Sequence, residues 1–331
     1  MRNKRLIDII APNAKNISLC IVLSLILWYD IFIPQTGDLV VGNTSNPVVS
    51  PLTILIEGII SPAGFMGKIT GLFLYLLLFF AIIRINDIYS FIRVRTILPS
   101  LFCLITGGIL LRPHIFSSGI IVALLVFSAF YFSFKLLTEE KPKYAFNVSL
   151  MLFMAALFSF SCVWLLIVFW IFAYSSNVLS FRVFLASLLG VFTLALYAAI
   201  GFWITECEHL LLEYIQNSFK FFAVDFNFSL SEIIYLSFIG FLILSSLINY
   251  TVTRSQENIR PRKEFSYIIH IFISILILVI LSVPDSDMLL WLLIPFGSFL
   301  LGRFFSLNNS RFTKTVLYIY FGSSLLLLLF N

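Results

Sequence analysis

Residues 144–174 read YAFNVSLMLFMAALFSFSCVWLLIVFWIFAY and contain no Asp, Glu, Lys, Arg or His. A membrane-spanning helix needs about 20 predominantly apolar residues. The stretch is therefore long for one span and short for two. Two short helices are one interpretation, and a single long tilted helix is the other. The choice matters because it decides on which side of a membrane every later segment lies.

The rest of the chain has the same apolar character. Hydrophobic residues make up 60% of the sequence and charged residues only 11%, and the mean hydropathy is +1.05. This composition excludes an ordinary soluble domain and predicts an all-α, polytopic helical membrane bundle. We expect one integral membrane domain over residues 1–331. Apolar windows predict about eleven transmembrane helices, near residues 17–34, 69–84, 97–111, 115–134, 145–161, 163–176, 183–203, 232–250, 266–283, 288–302 and 314–330.

The basic residues favour two helices within residues 144–174. With two helices, all of the 21 Lys and Arg residues except Lys68, Arg112 and Lys220 fall on one side of the membrane. With one helix, the later basic clusters move to the other side, against the excess of Lys and Arg in cytoplasmic loops. The pattern therefore predicts a cytoplasmic N-terminus, and it is typical of a bacterial cytoplasmic (inner) membrane protein.

Two outer loops are long enough to form structure of their own, at about residues 35–68 and 205–231. In the first, Leu52, Leu55, Ile56 and Ile59 recur near helical spacing, with Glu57 among them. In the second, an apolar stripe runs opposite a polar face that includes His209, Glu213 and Lys220. Such patterns predict amphipathic helices in the membrane interface, which either contribute to a site or only connect spans.

Ionisable residues are nearly absent inside the predicted spans. The clearest one is His270, near the inner end of its span. Because an ion-coupled transporter usually needs several ionisable groups at depth, this scarcity counts against a transporter. We interpret a lone His on an apolar helix as a structural residue.

The outer membrane edge carries a more suggestive set of groups. Asp30 follows Trp28 and Tyr29, where a low dielectric favours a raised carboxyl pKa and a competent general base. Arg112 and His114 flank a proline in a tight outer connection, and an arginine fork suits a phosphate. The alternative is that Asp30 and Arg112 form an interfacial ion pair or reach the headgroups separately.

Two resemblances add to this interpretation. The region from RTILPSLFCLITGGILLRPHIFSS to FRVFLASLLGVFTLALYAAIGFW, residues 95–203, resembles an uncharacterised family of bacterial polytopic inner-membrane proteins. The overall plan is similar to that of the C-superfamily (GT-C) glycosyltransferases, which use polyprenyl-phosphate sugar donors. The shared features are an acidic residue near the outer end of the first span, a first outer loop with interfacial helices, and about eleven spans.

The second resemblance implies roles for particular residues. Asp30 would occupy the position of the catalytic base, with Asp38 or Glu57 as substitutes. The candidate substrate-binding residues are Arg112, His114, His209 and Lys220. The implied partners are membrane lipid, a polyprenyl-phosphate-linked sugar and other envelope membrane proteins. No cofactor, dedicated metal site or nucleic-acid partner is expected, although a divalent metal ion stays open.

Three functions follow as hypotheses. An outward-facing, lipid-linked glycosyltransferase requires Asp30, Arg112 and His114 to converge on an outer-leaflet cavity. A non-enzymatic assembly or scaffold subunit of a cell-envelope complex predicts that these residues point apart. A transporter predicts a midplane cavity lined by broken helices.

Overall fold

A computed structural model of the chain describes residues 11–29, 50–62, 64–89, 91–92, 95–110, 116–204, 208–218, 229–254, 259–280, 286–308 and 310–330. Within these ranges the protein is helical and has no β-strand, which confirms the all-α prediction. The α-helices are α1 (Ala14–Leu27), α2 (Pro51–Ile59), α3 (Phe65–Tyr89), α4 (Leu98–Leu110), α5 (Ser118–Glu139), α6 (Pro142–Ala156), α7 (Val163–Ser175), α8 (Phe181–Ile204), α9 (Glu208–Ser218), α10 (Leu230–Thr253), α11 (Ile259–Ile280), α12 (Ser286–Leu307) and α13 (Arg311–Phe330).

Six segments in the described ranges are long and apolar enough to cross a membrane. They are Phe65–Tyr89, Ser118–Glu139, Phe181–Ile204, Leu230–Thr253, Pro261–Ile280 and Met288–Leu307. Three shorter helical segments, Ala14–Leu27, Leu98–Leu110 and Phe160–Ser175, are also apolar. This architecture supports a multi-pass integral membrane protein.

Residues 144–174 form two helices, as predicted. Helix α6 ends at Ala156, a 3-10 turn covers Phe160–Cys162, and α7 begins at Val163. Trp170 of α7 donates a hydrogen bond to Ser187 of α8 at 3.0 Å. On α6, Ser149 meets α8 one turn further along, beside Gly190. Two positions on either side of the turn thus contact neighbouring positions on α8, so the chain folds back as a hairpin. With 15 and 13 residues, its helices are only about 20 Å long.

The centre of the bundle is built from α4, α5 and α12. Helix α4 is buried along nearly its whole length, and its Pro99 packs directly against Gly302 of α12. Phe127 of α5 stacks against Phe296 at a ring-centroid distance of 4.9 Å, and Phe130 meets the same ring edge-to-face at 5.6 Å. Dense aromatic packing of this kind explains much of the high phenylalanine content.

Buried charge fixes the junction of α10, α11 and α12. Glu264 and Arg303 are exposed by only 2% and 3%. The Arg303 guanidinium lies 4.3 Å from the ring centroid of Phe265 and 4.9 Å from that of Tyr250. Desolvated cation–π contacts contribute about 2 kcal/mol or more. This packing therefore fixes the orientation of α11 about its own axis. That orientation determines which side chains of α11 remain exposed.

The ends of α5, α7 and α10 and the starts of α6 and α11 lie at the same end of the bundle as this junction. We call this the basic end. Phe134 near the end of α5 contacts Phe172 near the end of α7 and Tyr267 near the start of α11, at 6.1 and 5.9 Å. Arg254 closes α10 at this end, and Lys141 precedes α6.

The opposite end holds the two short helices that were predicted in the outer loops. Helix α2 is capped by Ser50, whose hydroxyl accepts a hydrogen bond from the Thr53 N–H. Helix α9 contacts both α2 and the turn between α6 and α7. There the Tyr214 hydroxyl accepts the Phe160 N–H at 2.7 Å. Both helices exist as predicted, while their placement in the membrane interface stays a prediction.

Candidate functional site

Most of the predicted outer-edge site lies outside the described residues. This holds for Asp30, Asp38, Arg112, His114 and Lys220. His209 lies in α9, but its side chain is not among those described. Whether Asp30, Arg112 and His114 converge therefore stays a prediction, and so do the roles assigned to them.

Of the three candidate catalytic acids, Asp30, Asp38 and Glu57, the structure describes the side chain of Glu57. It lies on α2, it is half-buried, and burial raises the pKa of its carboxyl group. The described flanks of the outer segments meet at this end: the Phe116 N–H donates a hydrogen bond to the Pro62 carbonyl at 3.3 Å, and α2 contacts α9. A half-buried carboxyl group on a short helix is not by itself a catalytic arrangement.

The basic end contains a cleft that the sequence did not indicate. We call it the basic cleft, and its volume is about 260 Å³. It lies between α7, the end of α10 and the first half of α11, and its lining residues are Val168, Ile171, Phe172, Ser175, Arg254, Arg262, Lys263, Ser266, Tyr267 and His270.

The orientation of α11 about its own axis determines which of its polar residues line the cleft. Glu264, Phe265 and Ile268 are buried on one side of the helix, against the Arg303 junction. Side chains three to four residues apart share a helix face. Lys263, Ser266 and His270 consequently form a second stripe, which faces α7 and the cleft.

The His270 ring is held by its own helix. Its Nδ1 atom lies against the Ser266 carbonyl oxygen, which can only accept a hydrogen bond, so Nδ1 carries the proton. This leaves Nε2 as the ring atom available to another group. The interpretation of His270 as a purely structural residue is therefore incomplete, because the ring lines the cleft as well.

The cleft is strongly positive. Arg254, Arg262 and Lys263 line it together with His270, and none of the lining residues that the structure describes is a carboxylate. In the described part of the chain, the ion pairs Arg95–Asp87 and Lys141–Glu139 lie elsewhere. The cations repel one another, and two of them sit in the first turns of α11, where the helix dipole also disfavours positive charge. A bound anion would relieve both penalties.

The floor of the cleft is apolar, and exposed apolar side chains lie next to it. The rings of Phe172 and Tyr267 stack at 3.8 Å with an interplanar angle of 9°. Beyond them, Ile167 and Ile171 of α7 and Ile273 of α11 are exposed. The cleft therefore places cationic side chains next to exposed apolar side chains, an arrangement that suits an amphipathic anion.

A metal centre has no support in the described residues, which contain no group of three or more His, Cys, Asp or Glu side chains placed to hold an ion. Comparisons of the chain with protein-family models, with curated proteins and with solved structures found no match. The two resemblances inferred from the sequence, and the glycosyltransferase activity that one of them implies, thus stay predictions.

Proposed function

We propose that the protein binds the phosphate-bearing headgroup of an anionic membrane lipid in the basic cleft. The observation that carries the proposal is the convergence of Arg254, Arg262, Lys263 and His270 on one cleft with an apolar floor. Arginine and lysine donate charge-assisted hydrogen bonds to phosphate oxygens, and arginine does so through a planar fork.

The exposed apolar side chains next to the cleft favour a lipid over a soluble anion. The stacked rings of Phe172 and Tyr267 form an apolar part of the cleft lining, and exposed isoleucines of α7 and α11 lie beyond them. Burying apolar surface contributes about 25 cal/mol per Å². A lipid gains this contribution from its chain in addition to the contacts of its headgroup, whereas free phosphate gains only the latter.

We propose eleven transmembrane helices with a cytoplasmic N-terminus, in a bacterial inner membrane. Each predicted span overlaps one helix between α1 and α13, when the short helices α2 and α9 are set aside. In this topology the basic end faces the cytoplasm, where anionic lipids give the leaflet a negative surface potential. The ligand would then enter the cleft from the cytoplasmic leaflet.

The lipid that stays with the purified protein tests this function. We expect the double variant Arg262→Ala/Lys263→Ala to retain about tenfold less anionic phospholipid than the wild type in native mass spectrometry, which corresponds to about 1.4 kcal/mol of binding free energy. The matched control is Arg311→Ala/Lys314→Ala, which removes two basic residues near the start of α13 that do not line the cleft.

Equal losses in both double variants would mean that retention follows net positive charge, and the cleft would then have no specific role. Retention unchanged in the cleft variant would contradict the proposed function outright. Circular dichroism of each variant checks that the helices are intact.

A further inference from the structure

We infer that the basic cleft prefers lipids that end in a terminal phosphate, either a phosphomonoester or a diphosphate, over phospholipids whose phosphate is a diester. This inference rests on the proposed function, because it names the class of headgroup bound at the same site. It follows from the charge of the cleft, its hydrogen-bond donors and its size.

Charge balance is the first argument. Arg254, Arg262 and Lys263 are cations at neutral pH, and His270 adds a fourth nitrogen base. A diester phosphate supplies a single negative charge, whereas a phosphomonoester carries about −1.5 to −2 near pH 7. None of the described residues that line the cleft is a carboxylate, so a ligand with nearly two negative charges offsets more of this positive charge than a diester does. The amine of a zwitterionic headgroup likewise finds no anionic partner among the described lining residues.

The hydrogen-bond inventory is the second argument. Each guanidinium offers five N–H donors and the ammonium offers three. A diester phosphate presents two non-bridging oxygens, a terminal phosphate presents three, and a diphosphate presents more. The donors around the cleft therefore outnumber what a diester can accept, and a terminal phosphate leaves fewer of them unsatisfied. Charge-assisted bonds of this type are roughly twice as strong as neutral ones.

Size is the third argument. Sites for drug-sized ligands usually measure about 300–1,000 Å³, and the cleft, at about 260 Å³, lies just below that range. A compact terminal phosphate fits such a volume together with the start of its chain. A glycerol or sugar substituent on the phosphate competes with the chain for the same space.

Lipid nanodiscs with matched acyl chains provide the test. The full-length protein is reconstituted in dioleoyl phosphatidylcholine containing an equal fraction of either dioleoyl phosphatidic acid or dioleoyl phosphatidylglycerol. Bound lipid is then counted by native mass spectrometry. We expect phosphatidic acid to be preferred by about tenfold near pH 7.5. Near pH 5.5 the preference should shrink, because the second phosphate proton, with a pKa of about 6, returns to the headgroup.

Three results separate the inference from the function beneath it. A preference for phosphatidic acid that disappears in Arg262→Ala/Lys263→Ala supports both. Equal binding of the two anionic lipids, lost in that variant, overturns the headgroup preference and leaves the proposed function intact. Binding of neither lipid above phosphatidylcholine overturns both. Inorganic diphosphate added to the same samples should compete only weakly, and full displacement at equal concentration would assign the cleft to a soluble phosphate instead.

Discussion

The Gly190→Val substitution is expected to lower the free energy of unfolding by about 1–3 kcal/mol, the usual cost of overpacking. A Cβ atom at Gly190 would meet the Ser149 hydroxyl oxygen and the carbonyl oxygen of Phe146 on the facing helix. Because the carbonyl belongs to the α6 backbone, it cannot move aside by a rotamer change. The Ser149 hydroxyl is also held, since it donates to the Ala145 and Phe146 carbonyls at 3.1 and 3.0 Å.

The control lies on the same helix. A Cβ atom at Gly201 of α8 would meet nothing within 4 Å, so Gly201→Val should change stability far less. Both variants carry the same β-branched penalty within a helix, and the comparison therefore isolates the packing of α6 against α8. Thermal unfolding in detergent, followed by circular dichroism, measures the difference. Equal melting temperatures for the two variants would contradict the close contact between these helices.

Cysteines placed beside the two ends of α5, at positions 61 and 140, are expected to react from opposite sides of the membrane. Glu140 follows α5 at the basic end, and Ser61 lies by the Pro62–Phe116 contact near its start; both residues are exposed. The 22 residues of α5 span about 33 Å, the thickness of the hydrocarbon core. A membrane-impermeant maleimide should therefore label Ser61→Cys in intact cells and Glu140→Cys only after the cytoplasmic side is opened.

The background for this experiment is a Cys207→Ser chain, in which the remaining cysteines Cys20, Cys103 and Cys162 are all buried. Labelling of Glu140→Cys in intact cells would reverse the proposed orientation and move the basic cleft to the outer leaflet. Labelling of both cysteines from one side would show that α5 does not cross the membrane.

The helical architecture was accessible from the sequence because lipid imposes simple rules on it. Apolar windows located α3 near residues 69–84 and α8 near residues 183–203, and the helices extend a few residues beyond each window. The charge pattern correctly favoured two helices over residues 144–174. The predicted span near residues 266–283 lies largely within α11, but the helix itself begins earlier, at Ile259. An apolar window cannot detect that first turn, because the turn is rich in charged residues.

The cleft could not be predicted, for a different physical reason. Hydropathy gives the order of helices along the chain but not their neighbours in the membrane plane, and α7 meets α11 across about ninety intervening residues. Arg254, Arg262 and Lys263 were interpreted only as a signal of orientation. His270 was interpreted as structural because it is a lone ionisable residue on an apolar helix, and the sequence does not show that this helix borders a cleft with α7. The useful signal was that Lys263, Ser266 and His270 recur at helical spacing on α11, opposite a buried face.

Photo-crosslinking within the cleft tests the central claim most directly. A benzoylphenylalanine at Ile171, which lines the cleft and is 56% exposed, is compared with one at Phe312, an exposed residue (74%) of α13 away from the cleft. In membranes of mixed composition, we predict that lipid crosslinked at position 171 is enriched in anionic species relative to lipid crosslinked at position 312, and that Arg262→Ala/Lys263→Ala abolishes the enrichment. The same lipid composition at both positions would contradict a lipid-phosphate site in the basic cleft.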